Sequence, residues 1–128
     1  MKKVYIAGKY DGPNVIEVLR NIRNGIAEAA ELMGLGFAPY CPFIDFQIGL
    51  ANDTPIPKKT YQDVSMAFVS ACDAMLMLPG WKESAGAMRE KALAESMGIP
   101  IYYSISELCG IDECVELVDG TTARKSVK

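Results

Sequence analysis

The chain has 128 residues, of which 50% are hydrophobic and 23% are charged, and its net charge is −3. This length and composition predict one folded domain and exclude a disordered chain. The negative charge disfavours binding to a nucleic acid polymer or an anionic membrane surface. Because no apolar run is long enough for a signal peptide or a membrane span, we expect a cytoplasmic protein.

The chain contains no histidine, which excludes histidine-dependent catalysis and zinc sites that need imidazole. Its four cysteines form no C-x-x-C pair, so we expect neither a metal nor another cofactor. Any catalysis would then depend on carboxylates, tyrosine, lysine, serine or backbone groups.

Hydrophobic periodicity predicts an alternation of strands and helices. A buried strand at Lys3–Ala7 precedes a helix over residues 15–33 and a weak edge strand over residues 37–40. Residues 41–59 contain three prolines and show no period, so they are interpreted as a long loop with at most one helical turn.

The second half of the chain continues the alternation. Its predicted elements are a helix over 60–72, a strand over 74–78, a helix from Ser84 to about Met97, a strand over 99–103 and a short helix after Ser104. Strands that alternate with helices predict an α/β domain with a mainly parallel sheet of four or five strands, covered on both faces. We expect one domain over residues 1–119 and a frayed polar tail over 120–128.

In such a sheet, ligands bind beyond the carboxyl ends of the strands, which directs attention to two loops. The first loop consists of Gly8, Lys9, Tyr10, Asp11 and Gly12. It matches neither a dinucleotide motif nor a phosphate-binding motif. Its glycines fit either a ligand that approaches the backbone or a simple tight turn, and its charged residues are either solvated or substrate contacts.

The second loop, residues 79–84, leads into a helix. Ser84 either caps this helix or binds a phosphate or sugar oxygen. Gly86 and Ala87 precede Glu90 by about one helical turn and leave space beside it. The Glu90 carboxylate can therefore act as a nucleophile or base in a hollow, the alternative being an ordinary exposed glutamate.

Three further side chains are weighed between a functional and a structural role. Trp81 either stacks on a base or sugar or folds back onto the domain. Tyr5 lies in a buried strand, where its hydroxyl needs a partner, and Glu90 is a candidate. Asp73, at the start of a central strand, is expected to bond neighbouring backbone rather than to act chemically.

An ordered set of motifs over about residues 2–103 resembles the nucleoside 2-deoxyribosyltransferase superfamily, and most closely its short, phage-associated branch of undefined function. That superfamily also contains 2′-deoxynucleoside 5′-monophosphate N-glycosidases. The residues that carry the resemblance are Val4-Tyr5-Ile6-Ala7-Gly8, Cys72-Asp73-Ala74, Leu78-Pro79-Gly80-Trp81, Ser84-x-Gly86-Ala87-x-x-Glu90 and Gly98-Ile99-Pro100.

The resemblance implies a flavodoxin-like or Rossmann-like three-layer sandwich, a homodimer or larger homo-oligomer, and a small-molecule nucleoside or nucleotide as substrate. It implies Glu90 as the nucleophile that attacks C1′ of the sugar and Tyr5 as the group that orients it. The implied substrate-binding residues are Gly8, Lys9, Tyr10, Asp11, Gly12, Gly80, Trp81, Ser84 and Gly86.

The sequence departs from the superfamily pattern at three places. Lys9 and Asp11 replace a small hydroxyl residue and an arginine of the monophosphate hydrolases, and Asp11 would repel a phosphate. Ser65 replaces an acidic residue of the preceding helix. Asp63, two residues before Ser65 on the same helix, is then the candidate third catalytic residue. The side chains of these two residues are separated by about 200° around the helix axis. Residues 41–59, which would shape the base pocket, match no pattern.

These observations leave three functional hypotheses. The first is an N-glycosidase or deoxyribosyltransferase that cleaves the C1′–base bond of a (deoxy)nucleoside or its 5′-monophosphate through Glu90. The second is a non-catalytic module of the same fold that binds a nucleotide or an ADP-ribose-type ligand. The third is a small α/β domain with a structural or partner-binding role.

Overall fold

The computed structural model describes residues 1–110, in which four strands form one parallel sheet in the order β2-β1-β3-β4. The strands are β1 (Lys3–Ala7), β2 (Ala38–Tyr40), β3 (Ala74–Met77) and β4 (Ile101–Tyr102). The side chains of β3, and those of β1 after its first residue, are buried on both faces of the sheet. This is the pattern of central parallel strands that helices cover on both sides.

The helices in the described part of the chain are α1 (Val15–Gly34), α2 (Asp45–Leu50), α3 (Lys58–Ala71), α4 (Ala85–Ser96) and α5 (Ile105–Cys109). Val4 and Ile6 pack with α1 and α5 on one face of the sheet, whereas Tyr5 and Ala7 pack with α3 and α4 on the other. The predicted three-layer α/β sandwich is confirmed, and the strand order is that of flavodoxin-like folds. None of these five helices is long and apolar enough to cross a membrane.

Helix α1 begins where the sequence predicts, because the side chain of Asn14 accepts a hydrogen bond of 2.9 Å from the backbone N–H of Glu17. Its buried face includes Gly25, which lies against the ring of Phe43. A Cβ at position 25 would overlap that ring. Phe43 is 2% exposed, so this contact anchors the segment that follows β2 onto α1.

The prediction for residues 41–59 is corrected by the structure. Phe43 lies in a 3₁₀ turn, Pro42–Ile44, which leads directly into α2, and α3 begins at Lys58 rather than at residue 60. Burial of Phe43 under α1 holds this turn against the core. Hydrophobic periodicity could not indicate α2, because this helix has only six residues and none of them is buried. Residues 111–119 of the predicted domain and the predicted tail over 120–128 lie outside the described residues.

Asp73 ties the amino ends of the two central strands together. Its Oδ2 accepts a hydrogen bond of 2.8 Å from the backbone N–H of Lys3, and this bond lowers the pKa of the carboxyl group. The predicted structural role of Asp73 is thereby confirmed. The loops that carry the candidate functional residues follow the carboxyl ends of β1 and β3, at the opposite edge of the sheet.

Candidate functional site

A cavity of about 720 Å³ opens at the carboxyl edge of the sheet. It lies where the strand order reverses between β1 and β3, the usual place for a ligand in such folds. Both predicted loops line it, together with α2 and α3. Its lining includes Lys9, Tyr10, Asp45, Ser65, Arg89 and Glu90.

The phenol of Tyr5 donates a hydrogen bond of 2.9 Å to Oε2 of Glu90. Tyr5 projects from β1 and is fully buried, with the ring of Tyr40 stacked at 5.4 Å. Glu90 lies in the second turn of α4 and faces the cavity. The predicted meeting of this carboxylate and this phenol is confirmed.

The surroundings of Glu90 favour its protonated form. The pKa of Glu90 is raised to about 7: burial is the main cause and the nearby carboxylate of Asp45 adds to it, whereas the hydrogen bond from Tyr5 and the charge of Arg89 act in the opposite direction. Burial and the negative charge of Glu90 raise the pKa of Tyr5 above its ordinary range. Tyr5 therefore keeps its proton and donates it in the hydrogen bond, while Glu90 changes its ionisation state close to neutral pH.

The start of α4 supplies polar groups to the cavity. Ser84 caps the helix by accepting a hydrogen bond of 3.1 Å from the backbone N–H of Ala87, and it also lines the cavity. A Cβ at Gly86 would lie 3.7 Å from the guanidinium group of Arg89 and 3.8 Å from Oγ of Ser84. The glycine therefore leaves open the space between these two groups, where an anionic or hydroxylated ligand can reach both.

The first loop is held in place from two sides. Nζ of Lys9 lies 2.6 Å from Oε1 of Glu83 in the second loop. The side chain of Asn21 donates hydrogen bonds of 3.3 Å and 3.0 Å to the carbonyl oxygens of Tyr10 and Asp11. Lys9, Tyr10 and Asp11 line the large cavity, as predicted for residues that contact a ligand.

Gly8 has a packing role as well as a place at the site. A Cβ at this position would lie 3.0 Å from Cβ of Leu78, so the ends of β1 and β3 approach closely because Gly8 has no side chain. Gly8 also lines a smaller adjoining pocket of about 130 Å³, which it shares with Glu90.

Six predicted site residues do not line the large cavity: Tyr5 and Gly8, which are described above, and Gly12, Gly80, Trp81 and Asp63. Gly12 lies in the first loop, where its N–H donates to Asp11, and Gly80 has a φ of +89° at the turn after β3. Trp81 packs against the core, and its ring centroid lies 5.9 Å from that of Tyr103. Of the two interpretations of Trp81, this is the one in which the ring folds back onto the domain. Asp63 pairs with Lys59 at 2.8 Å on the exposed side of α3. Ser65 lines the cavity instead, as the angular separation around the helix requires.

Sequence reasoning missed two functional candidates in the cavity wall. Asp45 is the first residue of α2 and is partly buried, and this burial raises the pKa of its carboxyl group. Arg89 directly precedes Glu90, a position that could have indicated a cation beside the carboxylate. No comparable signal exists for Asp45, because its segment shows no period. Within residues 1–110, no group of three or more metal-ligating side chains is arranged to hold an ion.

A protein-family model described as "Domain of unknown function (DUF4406)" matches residues 2–103 of the chain. No curated protein matches the chain. The matched range includes the whole sheet and every cavity-lining residue named above.

Proposed function

The chain belongs to the DUF4406 family, and we propose that it is an N-glycosidase or deoxyribosyltransferase that cleaves the C1′–base bond of a (deoxy)nucleoside or its 5′-monophosphate. One observation carries the proposal: the buried phenol of Tyr5 holds Glu90 by a hydrogen bond at the wall of a cavity of about 720 Å³. A cavity of that volume is sufficient for a nucleotide-sized ligand.

In the first chemical step, an oxygen of the ionised Glu90 carboxylate attacks C1′ as the bond from C1′ to the base nitrogen breaks. The electron pair of the broken bond leaves with the base, which gains a proton. The transition state resembles an oxocarbenium ion, which the negative charge of Glu90 stabilises. Tyr5 keeps one carboxylate oxygen in place and leaves the other oxygen to react.

The second step releases the sugar from Glu90. Either water attacks C1′, which makes the protein a hydrolase, or a second base attacks it, which makes the protein a transferase. In both cases the bond from C1′ to the glutamate oxygen breaks, and the carboxylate is regenerated. These two steps do not involve a metal ion. They need a nucleophile, a proton donor and a cavity that excludes bulk water.

Cations on the cavity wall support a substrate with a 5′-phosphate. Arg89 lies beside Ser84 at the start of α4, and Lys58 lines the wall from the start of α3. Neither cation forms a salt bridge with another residue of the described chain. They can therefore offset the repulsion that the carboxylate of Asp11 exerts on a phosphate.

A non-catalytic ligand-binding module is the second candidate function. The observation that favours it is Ser65, since a serine hydroxyl stands where the enzymes of the similar superfamily keep a proton donor. The two functions differ in turnover. An enzyme releases free base, whereas a binding module is only stabilised by its ligand.

The deciding experiment incubates the protein with a panel of deoxynucleosides, ribonucleosides and their 5′-monophosphates and measures free base by chromatography. We expect release by the wild type and a loss of at least about a thousandfold for Glu90→Ala. Glu95→Gln is the matched control, because Glu95 lies on the same helix but pairs with Lys91 away from the cavity. Thermal stabilisation by a nucleotide without release of base would favour the binding module.

We also propose that the protein acts as a homodimer or larger homo-oligomer. Three large apolar side chains are exposed in the first turns of α1: Val15 (63%), Ile16 (54%) and Leu19 (44%). Burial of these side chains against a second copy would remove apolar area from water. Light scattering should then give at least twice the mass of one chain, and Ile16→Lys should lower that mass.

A further inference from the structure

We propose that Asp45 is the second catalytic carboxyl group of this site and gives its proton to the departing base while Glu90 attacks C1′. This inference rests on the proposed function and adds the proton donor that it needs. It assigns a role to a segment whose sequence matched no pattern.

The packing of the segment before Asp45 fixes the position of this residue at the reacting centre. Phe43 is locked between α1 and the sheet, and the 3₁₀ turn that contains it leads directly into α2. Asp45 is thus two residues from a fully anchored side chain. It lines both the large cavity and the adjoining pocket of about 130 Å³.

Glu90 lines the same two spaces, so Asp45 and Glu90 border one shared volume. Their electrostatic repulsion contributes to the raised pKa of Glu90. Within residues 1–110, Asp45 forms no hydrogen bond or salt bridge with another side chain. Its carboxyl group is therefore available to a ligand instead of being occupied by a structural partner.

Other polar groups near the reacting centre are poorer proton donors. The hydroxyl of Ser65 lies near the phenol of Tyr5 and is too weakly acidic to protonate a departing base. Burial raises the pKa of both Tyr5 and Tyr10 above the ordinary value of a phenol. Asp63 is paired with Lys59 outside the cavity. Besides Glu90, the cavity wall carries three carboxyl groups, those of Asp11, Asp45 and Glu83. Asp11 accepts a hydrogen bond from the backbone N–H of Gly12, and Glu83 pairs with Lys9, which leaves Asp45 as the candidate.

Two carboxyl groups that line one pocket repel each other when both are ionised, which favours a form in which one of them carries a proton. In the reactive form Glu90 is ionised and accepts the hydrogen bond from Tyr5, while the proton is on Asp45. As the bond from C1′ to the base breaks, its electron pair moves to the base and a base nitrogen takes the proton of Asp45. In the hydrolytic second step, the Asp45 carboxylate accepts a proton from the attacking water and is restored.

The experiment compares Asp45→Asn on two kinds of substrate. An unmodified purine deoxynucleoside needs protonation of its base, whereas N7-methyl-2′-deoxyguanosine already carries a positive base that leaves as a neutral molecule. We expect Asp45→Asn to lower kcat on the unmodified substrate by about a hundredfold or more, and to change kcat on the methylated substrate by less than about tenfold. Asp63→Asn is the matched control and should change neither rate.

Each outcome decides the question. Equal losses on both substrates, with an unchanged Tm, would assign Asp45 a structural or binding role and overturn the inference. An unchanged rate on the unmodified substrate would also overturn it. If wild-type protein releases base from neither substrate nor from the nucleotide panel, the proposed function fails and takes the inference with it. If the wild type is active, only the role of Asp45 is at stake.

Discussion

Lys9 and Glu83 connect the two loops at the carboxyl edge of the sheet, with 2.6 Å between the ammonium nitrogen and the carboxylate oxygen. Both residues line the cavity. The side chain of Lys9 is 34% exposed and that of Glu83 is 67% exposed, so water screens the pair and its effect on stability is small. The pair is important because it fixes the position of the Lys9 ammonium group at the cavity wall.

Glu83→Gln should strengthen the binding of a 5′-monophosphate. The carboxylate of Glu83 is the principal partner of Lys9, and its removal frees the ammonium group for an anionic ligand. We expect the KM or Kd of a monophosphate to fall about three- to tenfold at low salt, with less effect at high salt. The corresponding free nucleoside should change little. Lys9→Met should weaken monophosphate binding, and an equal response of nucleoside and monophosphate to Glu83→Gln would contradict this prediction.

Tyr5→Phe should move the acidic limb of the pH–rate profile to higher pH. The hydrogen bond from Tyr5 lowers the pKa of Glu90, so its loss raises this pKa above about 7. Hydrogen bonds to charged groups contribute about 1.5–3 kcal/mol, which corresponds to a displacement of about one pH unit or more. The measurement is kcat/KM between pH 5 and 9.

The control for this prediction is Tyr40→Phe, because the ring of Tyr40 stacks on that of Tyr5 but makes no hydrogen bond to Glu90. Its pH profile should match that of the wild type. A lower rate for Tyr5→Phe with the same pH dependence would mean that the phenol does not tune Glu90.

Glu90→Gln should make the folded protein more stable at pH 8 than the wild type. The pKa of Glu90 is about 7 in the folded protein and 4.5 ordinarily. Between these values the folded chain binds more protons than the unfolded chain, so the unfolding free energy of the wild type falls as the pH rises. The loss amounts to about 3 kcal/mol, and glutamine avoids it.

Urea unfolding at pH 4 and pH 8 measures this effect as the difference between the variant and the wild type. Because the difference isolates position 90, the titrations of the carboxyl groups that do not interact with Glu90 largely cancel, while Tyr5 and Arg89 stay in place. Glu95→Gln provides the comparison at an exposed site. A stability difference between Glu90→Gln and the wild type that is the same at both pH values would refute the prediction.

Gly25→Ala should destabilise the fold, whereas Gly34→Ala should stabilise it. Both glycines are in α1, where alanine has the higher helix propensity by about 1 kcal/mol. A Cβ at position 25 overlaps the buried ring of Phe43, whereas a Cβ at position 34 meets nothing within 4 Å. We expect a net loss of about 1–3 kcal/mol for Gly25→Ala and a gain of up to about 1 kcal/mol for Gly34→Ala. Chemical denaturation measures both, and a gain at position 25 would show that Phe43 can move away.

Much of the fold could be predicted because local signals agree with the tertiary structure. The continuous apolar runs of β1 and β3 have the composition of buried parallel strands, and the caps formed by Ser84 and Ser104 start their helices as expected. Helix α2 could not be predicted, because its position depends on Phe43 binding against Gly25, a contact between residues that lie far apart in the sequence.

The candidate site was predictable for those residues whose positions follow from the pairing of the strands. Tyr5 and Glu90 follow from the strand pairing and the helix that succeeds β3, and they meet at 2.9 Å. Trp81 illustrates the limit, since its indole had two plausible positions and tertiary packing selects the one against the core. Asp63 and Ser65 differ by their angle around α3, which depends on the helix register rather than on composition.

The hydrogen bond between Asp73 and Lys3 lies at the amino edge of the sheet, away from the cavity. Met1 is on that side too and is 87% exposed. A strand of five residues spans about 16 Å, which separates this edge from the cavity mouth. An affinity tag or a sensor-chip linkage at Met1 should therefore leave the entrance open to small molecules, which suits the protein to surface-immobilised ligand screening.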